Sequence, residues 1–170
     1  NNNPMVPVEA WIDKSGGDSK AVKWVEVPIP AALDAVAGGK IDAAVYGEPF
    51  ITFGTDKGMR AIYMEKNAIA PRYMLAGFMT TKAWAAKNPL VATEFIAAMK
   101  EIAQWANTNR AASAAILSKY TKLPLPVVER MKRGQFAANL LASDFQPVID
   151  AAAKYGVLPK AFPAPELFYR

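Results

Sequence analysis

Val25 to Phe50, VEVPIPAALDAVAGGKIDAAVYGEPF, is the stretch whose reading decides the fold. Two apolar β-type runs, Val22 to Val27 and Ile41 to Tyr46, flank a helix-compatible run from Ala31 to Ala37 that ends at Gly38-Gly39. The first run alternates apolar and polar residues, the pattern of a strand. The second is apolar except for Asp42, as expected of a strand covered on both faces. Pro28 and Pro30 end the first run, because proline cannot donate to a ladder and its fixed φ suits the first turn of a helix. The succession therefore reads strand, helix, strand. In open α/β sheets ligands gather outside the carboxyl ends of the strands, so a site is expected at two loops, Pro28-Ile29-Pro30 and Gly47-Glu48-Pro49-Phe50. A βαβ unit whose loops only turn the chain would look the same, since fold does not fix function.

Before this stretch, Val8, Trp11 and Ile12 are spaced as one apolar helix face within Val6 to Lys14, and Ser15-Gly16-Gly17-Asp18 stops that helix. Trp11 is expected in the core. After it, Gly54 to Gly58 reads as a turn region, Met59 to Tyr63 as a short strand and Tyr73 to Thr80 as another, with Pro71-Arg72 a hinge or crossover. Helices follow. Phe95, Ile96, Met99, Ile102 and Trp105 mark a long amphipathic helix from about Pro89 to Asn107, with proline in its first turn. Asn109 to Tyr120, Pro126 to Arg133 and Phe145 to Tyr155 are three more; Asp144 is the expected N-cap of the last and Gly156 its stop. The apolar, proline-bearing tail from Pro159 to Arg170 is expected to lie along a surface groove. Glu94, Lys100 and Glu101 read as a solvated helix face.

The 170 residues contain neither cysteine nor histidine. That removes thiol nucleophiles, Ser-His pairs, imidazole bases and zinc sites of the usual ligands. The net charge of +5 is spread without a basic stripe, which argues against nucleic acid as a partner. Gly16-Gly17 and Gly38-Gly39 fit neither the dinucleotide nor the P-loop spacing, and no cofactor is expected. No apolar run is long enough to span a bilayer, and the N-terminus lacks the regions of a signal peptide. Asn1-Asn2-Asn3-Pro4 reads as the middle of something longer.

Glu48 is the sharpest candidate: a carboxylate leaving a buried-looking strand, able to accept hydrogen bonds from a ligand or to cap a neighbouring helix. Tyr46 and Phe50 bracket it, either as apolar walls of a small-molecule pocket or as core. Arg72, at the expected crossover, could hold an anionic ligand through a bidentate contact or form an ion pair between the two parts of the chain.

The succession AWIDKSGGD, VKWVEVP, AALDAVAGGKIDAAVYGEPF, TKAWAAKNP, WANTN and QPVIDAAAKYGVLPKAFPAPELF resembles the solute-binding proteins of bacterial ABC importers, in the branch serving nitrate, sulfonates, taurine and thiamine-pyrimidine precursors. The likeness runs from about Val8 to Phe168. It implies an α/β fold of the type II periplasmic-binding-protein kind: a partial second α/β lobe over residues 1–70, then a return over 71–170 into the first lobe with its C-terminal helices. It implies a periplasmic or extracytoplasmic protein that closes around a small solute by a hinge motion and docks on a membrane permease, with no catalysis. Tyr46, Gly47, Glu48, Pro49 and Phe50 would form the second-lobe wall of the cleft and Pro28, Ile29 and Pro30 its neighbour. The family's signal peptide and the initial half of its first lobe have no counterpart here, so a missing N-terminal part or a second chain would complete the cleft. A thiamine-pyrimidine enzyme of the same fold depends on histidine, which this sequence lacks. A ligand-sensing module of a signalling protein is the third expectation.

Overall fold

Glycine stop signals translate most directly from sequence into backbone. The computed structural model describes residues 5–62 and 68–169, within which lie eight α-helices: α1 (Met5–Lys14), α2 (Ile29–Ala37), α3 (Phe50–Asp56), α4 (Lys82–Lys87), α5 (Pro89–Thr108), α6 (Arg110–Thr121), α7 (Leu125–Arg130) and α8 (Ala142–Lys154). Helix α2 ends where Gly39 takes φ 65°, letting Lys40 N–H donate to Ala35 O (2.9 Å) and Gly39 N–H to Val36 O (3.1 Å). This paired closure needs a left-handed residue, a conformation that costs glycine nothing. Gly156, at φ 74°, closes α8 in the same way.

The long helix expected over 89–107 is α5, opened by Pro89. Asn109 separates it from α6, so the two helices meet at a corner. Helix α6 turns back at Lys122, which takes φ 62°, and α7 packs against it. Ala114 and Val128 are fully buried there and Met131 nearly so, with Leu117 and Leu123 around them. At the other end α1 packs on α8: Tyr155 Oη donates to Asp13 Oδ2 (2.9 Å), while Asp13 Oδ1 accepts from Ser19 N–H (3.1 Å). Trp11 is half-buried beside this contact. The tail lies on α8. Gln146 Nε2 donates to Phe162 O (3.1 Å), Gln146 Oε1 accepts from Ala164 N–H (2.8 Å), and Phe168 meets Phe145 edge-on at 5.2 Å.

Several expectations are corrected. Gly54 to Asp56 is helix, the end of α3, because Gly54 has Leu33 and Met59 against it and the stop comes only at Gly58. Helix α2 begins at Ile29, with Pro30 in its first turn. Helix α7 ends at Arg130, since Met131 turns extended (φ −62°, ψ 149°). Helix α8 starts three residues before Phe145, which puts Asp144 inside its first turn; its carboxylate takes Arg72 rather than a backbone cap.

The strands are the largest departure. Among the described residues no strand is formed over 22–27, 41–46, 59–62 or 73–80, and Tyr63, the last residue of the third, lies outside them. A strand exists only with a neighbour about 4.8 Å away to complete its ladder, and here no described segment lies alongside in that register. Several apolar side chains of these segments stay in solvent, with Val25 68% exposed, Phe78 77% and Met79 95%, whereas Ile41, Val45 and Tyr46 are half-buried. The chain exposes 12277 Å² in total, against about 8,200 Å² for a compact monomer of its mass. Among the described residues no helix is long and apolar enough to cross a membrane.

Candidate functional site

The corner from Tyr46 to Phe50 is built by a turn that becomes a helix. Phe50 N–H donates back to Gly47 O (3.1 Å) across a cis Glu48–Pro49 peptide, and Phe53 N–H donates to Pro49 O (3.0 Å) as the first helical bond of α3. Proline cannot cap the exposed N–H groups of that first turn, so the preceding residue does. Glu48 Oε2 accepts from Thr52 N–H (3.0 Å) and Thr52 Oγ1 (2.8 Å), and Oε1 accepts from Lys132 N–H (3.1 Å). A carboxylate offers about four acceptor positions, so one remains for a further donor. Glu48 thus does the capping that its position allowed, and also ties α3 to the segment after α7. Arg130 makes a parallel tie, its guanidinium forking onto Asp56 at 3.0 and 3.1 Å.

The aromatic wall is real as packing. The Tyr46 and Phe50 rings lie 5.7 Å apart, and Phe50 meets Phe53 edge-on at 6.2 Å. The Tyr46 hydroxyl is buried and has no hydrogen-bond partner among the described residues. Burial pushes its pKa above the usual tyrosine value. A buried hydroxyl without a partner costs about 1–3 kcal/mol, and a ligand atom within reach would recover that.

The other expected site residues make no hydrogen bond or ring contact with this corner among the described residues, although α2 is tied to α3 by Lys57 and Asp34 at 2.8 Å. Pro28 precedes α2 as its N-cap residue, Ile29 is 53% exposed and Pro30 sits in the helix's first turn. A cavity of about 510 Å³ lies nearby, between Val25, Val27, Ala31, Ala35 and Ile41, and none of the nine expected ligand residues lines it. Arg72 donates to Asp144 Oδ2 at 2.8 Å, with Asp144 buried and Met74 N–H donating to the Asp144 carbonyl. That is an ion pair, but both of its partners lie within 71–170, so it does not join the two parts of the chain expected from the sequence. Sequence reasoning missed Thr52 and Lys132. Thr52 was within reach, as a hydroxyl four residues after Glu48 in a helix opened by Pro49; Lys132 stands 84 residues away and left no local signal.

The corner offers a carboxylate acceptor and an aromatic surface to a ligand. A family model described as the NMT1-like family matches residues 2–120, which is 119 of the 170. The chain belongs to the NMT1-like family, which is of the type II periplasmic-binding-protein class found in nitrate-, sulfonate- and taurine-type ABC importers. Membership implies the type II periplasmic-binding-like fold and points to a solute-binding role. No curated protein and no solved structure matches the chain. The matched stretch includes Tyr46 to Phe50 and Arg72, but stops short of Lys132 and Asp144, their partners.

Proposed function

We propose that this protein is the extracytoplasmic solute-binding component of an ABC importer, taking a small nitrogen- or sulfur-containing solute in an interlobe cleft and delivering it to a membrane permease without chemical change. The observation that carries this reading is the NMT1-like match over residues 2–120. In this reading residues 1–70 belong to the second, α/β lobe and 71–170 to the return into the first. Closure is a hinge motion, driven by solute contacts made only in the closed state. The lack of histidine favours binding over the pyrimidine-making relatives.

The Tyr46 hydroxyl and the free acceptor position of Glu48 are the groups we assign to the solute. Together they suit a solute with N–H donors better than a bare anion, which the Glu48 carboxylate would repel. Titration calorimetry with taurine, nitrate and an aminopyrimidine tests the reading, and saturable binding of one of them is expected. Tyr46→Phe then weakens that solute about five- to tenfold, the worth of one hydrogen bond, while the melting temperature holds or rises because a buried, unpartnered hydroxyl is gone. Unchanged affinity in Tyr46→Phe removes this corner from the site, and no binding of any of the three overturns the solute class.

A further inference from the structure

The α5–α6 corner carries a second feature, outside the residues assigned to the solute. Asn107, near the end of α5, clamps residue 136 with both ends of its amide: Nδ2 donates to Phe136 O (2.7 Å) and Oδ1 accepts from Phe136 N–H (3.0 Å). The clamp lays residues 133–136 across the corner and leaves a cavity of about 250 Å³ beneath them. Arg110 and Arg133 both line it, with Asn107 and Gln135, and no carboxylate does.

Each arginine is incompletely used. Arg133 donates from Nη1 to Ser113 Oγ (2.9 Å) and from Nη2 to the Arg110 carbonyl, while its Nε–H is buried and has no partner among the described residues. The Arg110 guanidinium has no hydrogen-bond or ion-pair partner among them. Burial and the like charge of Arg110 both push the Arg133 pKa down, yet a guanidinium stays protonated in any protein. Arg110 is exposed and Arg133 half-buried, and their like charges at one cavity favour an anion between them. Arg110 also opens α6, a twelve-residue helix whose first N–H groups have no side-chain cap, so the positive end of its dipole adds to the field.

We propose that this cavity is an anion site, taking one small tetrahedral oxyanion between the Arg110 and Arg133 guanidinium groups. The fork of a guanidinium matches two oxygens of such an anion. The volume argues for a small ion, since pockets for larger organic ligands run to about 300–1,000 Å³. With the anion bound, residues 133–136 are fixed to the α5–α6 corner from two sides, by Asn107 and by the ion.

Calorimetry with inorganic phosphate, at constant ionic strength in chloride, is the test. One saturable phosphate per chain is expected, with a matching rise in melting temperature. Arg110→Gln removes no side-chain hydrogen bond or ion pair to a described residue, so the variant folds and binds phosphate about tenfold more weakly, the loss of a charge-assisted bond. Lys119→Gln, which removes an exposed charge elsewhere on α6, leaves binding as it was. Absence of saturable binding, equal binding by Arg110→Gln, or an equal loss in Lys119→Gln would each overturn the proposal, the last by reducing it to general charge attraction.

Discussion

Val128 and Ala114, where α7 meets α6, are closed to water, while Phe78 and Met79, ahead of α4, stand 77% and 95% exposed. The exposed region is the more apolar of the two, with no charged residue over 73–80 against two each in α6 and α7. The two regions differ in where their partners come from. A helix satisfies its backbone within itself and needs only one neighbour for its apolar stripe, and α6 finds α7 a few residues on. An extended segment has no internal bonds and depends on another strand for every N–H and C=O. Residues 73–80 are held at isolated points: Met74 N–H on the Asp144 carbonyl (2.8 Å) and Phe78 against Phe95 at 5.4 Å. Local elements complete themselves, and extended ones wait on a distant partner.

The sharpest way to break the buried side of this contrast is Val128→Ala. Removing two methyl groups from a fully enclosed position costs about 2 kcal/mol, read as a lower denaturation midpoint. A loss below half of that would show the α6–α7 junction to be looser than its burial implies. Next in size is Glu48→Ala, which leaves the Thr52 and Lys132 N–H groups without their acceptor; the expected cost is about 1–2 kcal/mol. Glu48→Gln, keeping an acceptor at each site in turn, recovers part of it.

A smaller effect comes from the α1–α8 contact and depends on pH. Ser19 and Tyr155 hydrogen bonds hold the Asp13 carboxyl below its usual 3.8, so the stability it lends is complete above that value and disappears as pH falls through the lower folded one. Burial and Asp13 hold the Tyr155 phenol above its usual 10.0, so the unfolded chain ionises first and stability declines as pH rises past 10. Asp13→Asn should flatten the acid limb; an unaltered limb would show that other carboxylates set it. At the exposed end of the comparison, Met79→Ser should move stability by less than about 0.5 kcal/mol, and a larger loss would mean that residues 73–80 are covered in solution.

The same distinction explains what could be read from sequence. Helix α5 was legible because Pro89 and the spacing of Phe95, Ile96, Met99 and Ile102 are local signals, and the stops at Gly39 and Gly156 were legible because a left-handed closure names its residue. Helix α3 was misread: Gly54 looks like punctuation, and only the Leu33 and Met59 side chains against it explain why a helix runs through. Of the candidate site, the cap by Glu48 and the ion pair of Arg72 were visible as possibilities. Their partners, Lys132 and Asp144, were not, because each lies at least 72 residues away along the chain.

The Asn107 clamp has a consequence in time rather than temperature. Its amide gives the Phe136 backbone one donor and one acceptor, the exchange that a neighbouring strand would otherwise provide. Asparagine is among the least durable side chains, and its hydrolysis to aspartate would replace the donor with a second acceptor facing the Phe136 carbonyl. It would also set a negative charge beside Arg110 and Arg133, an internal counter-ion arriving by ageing.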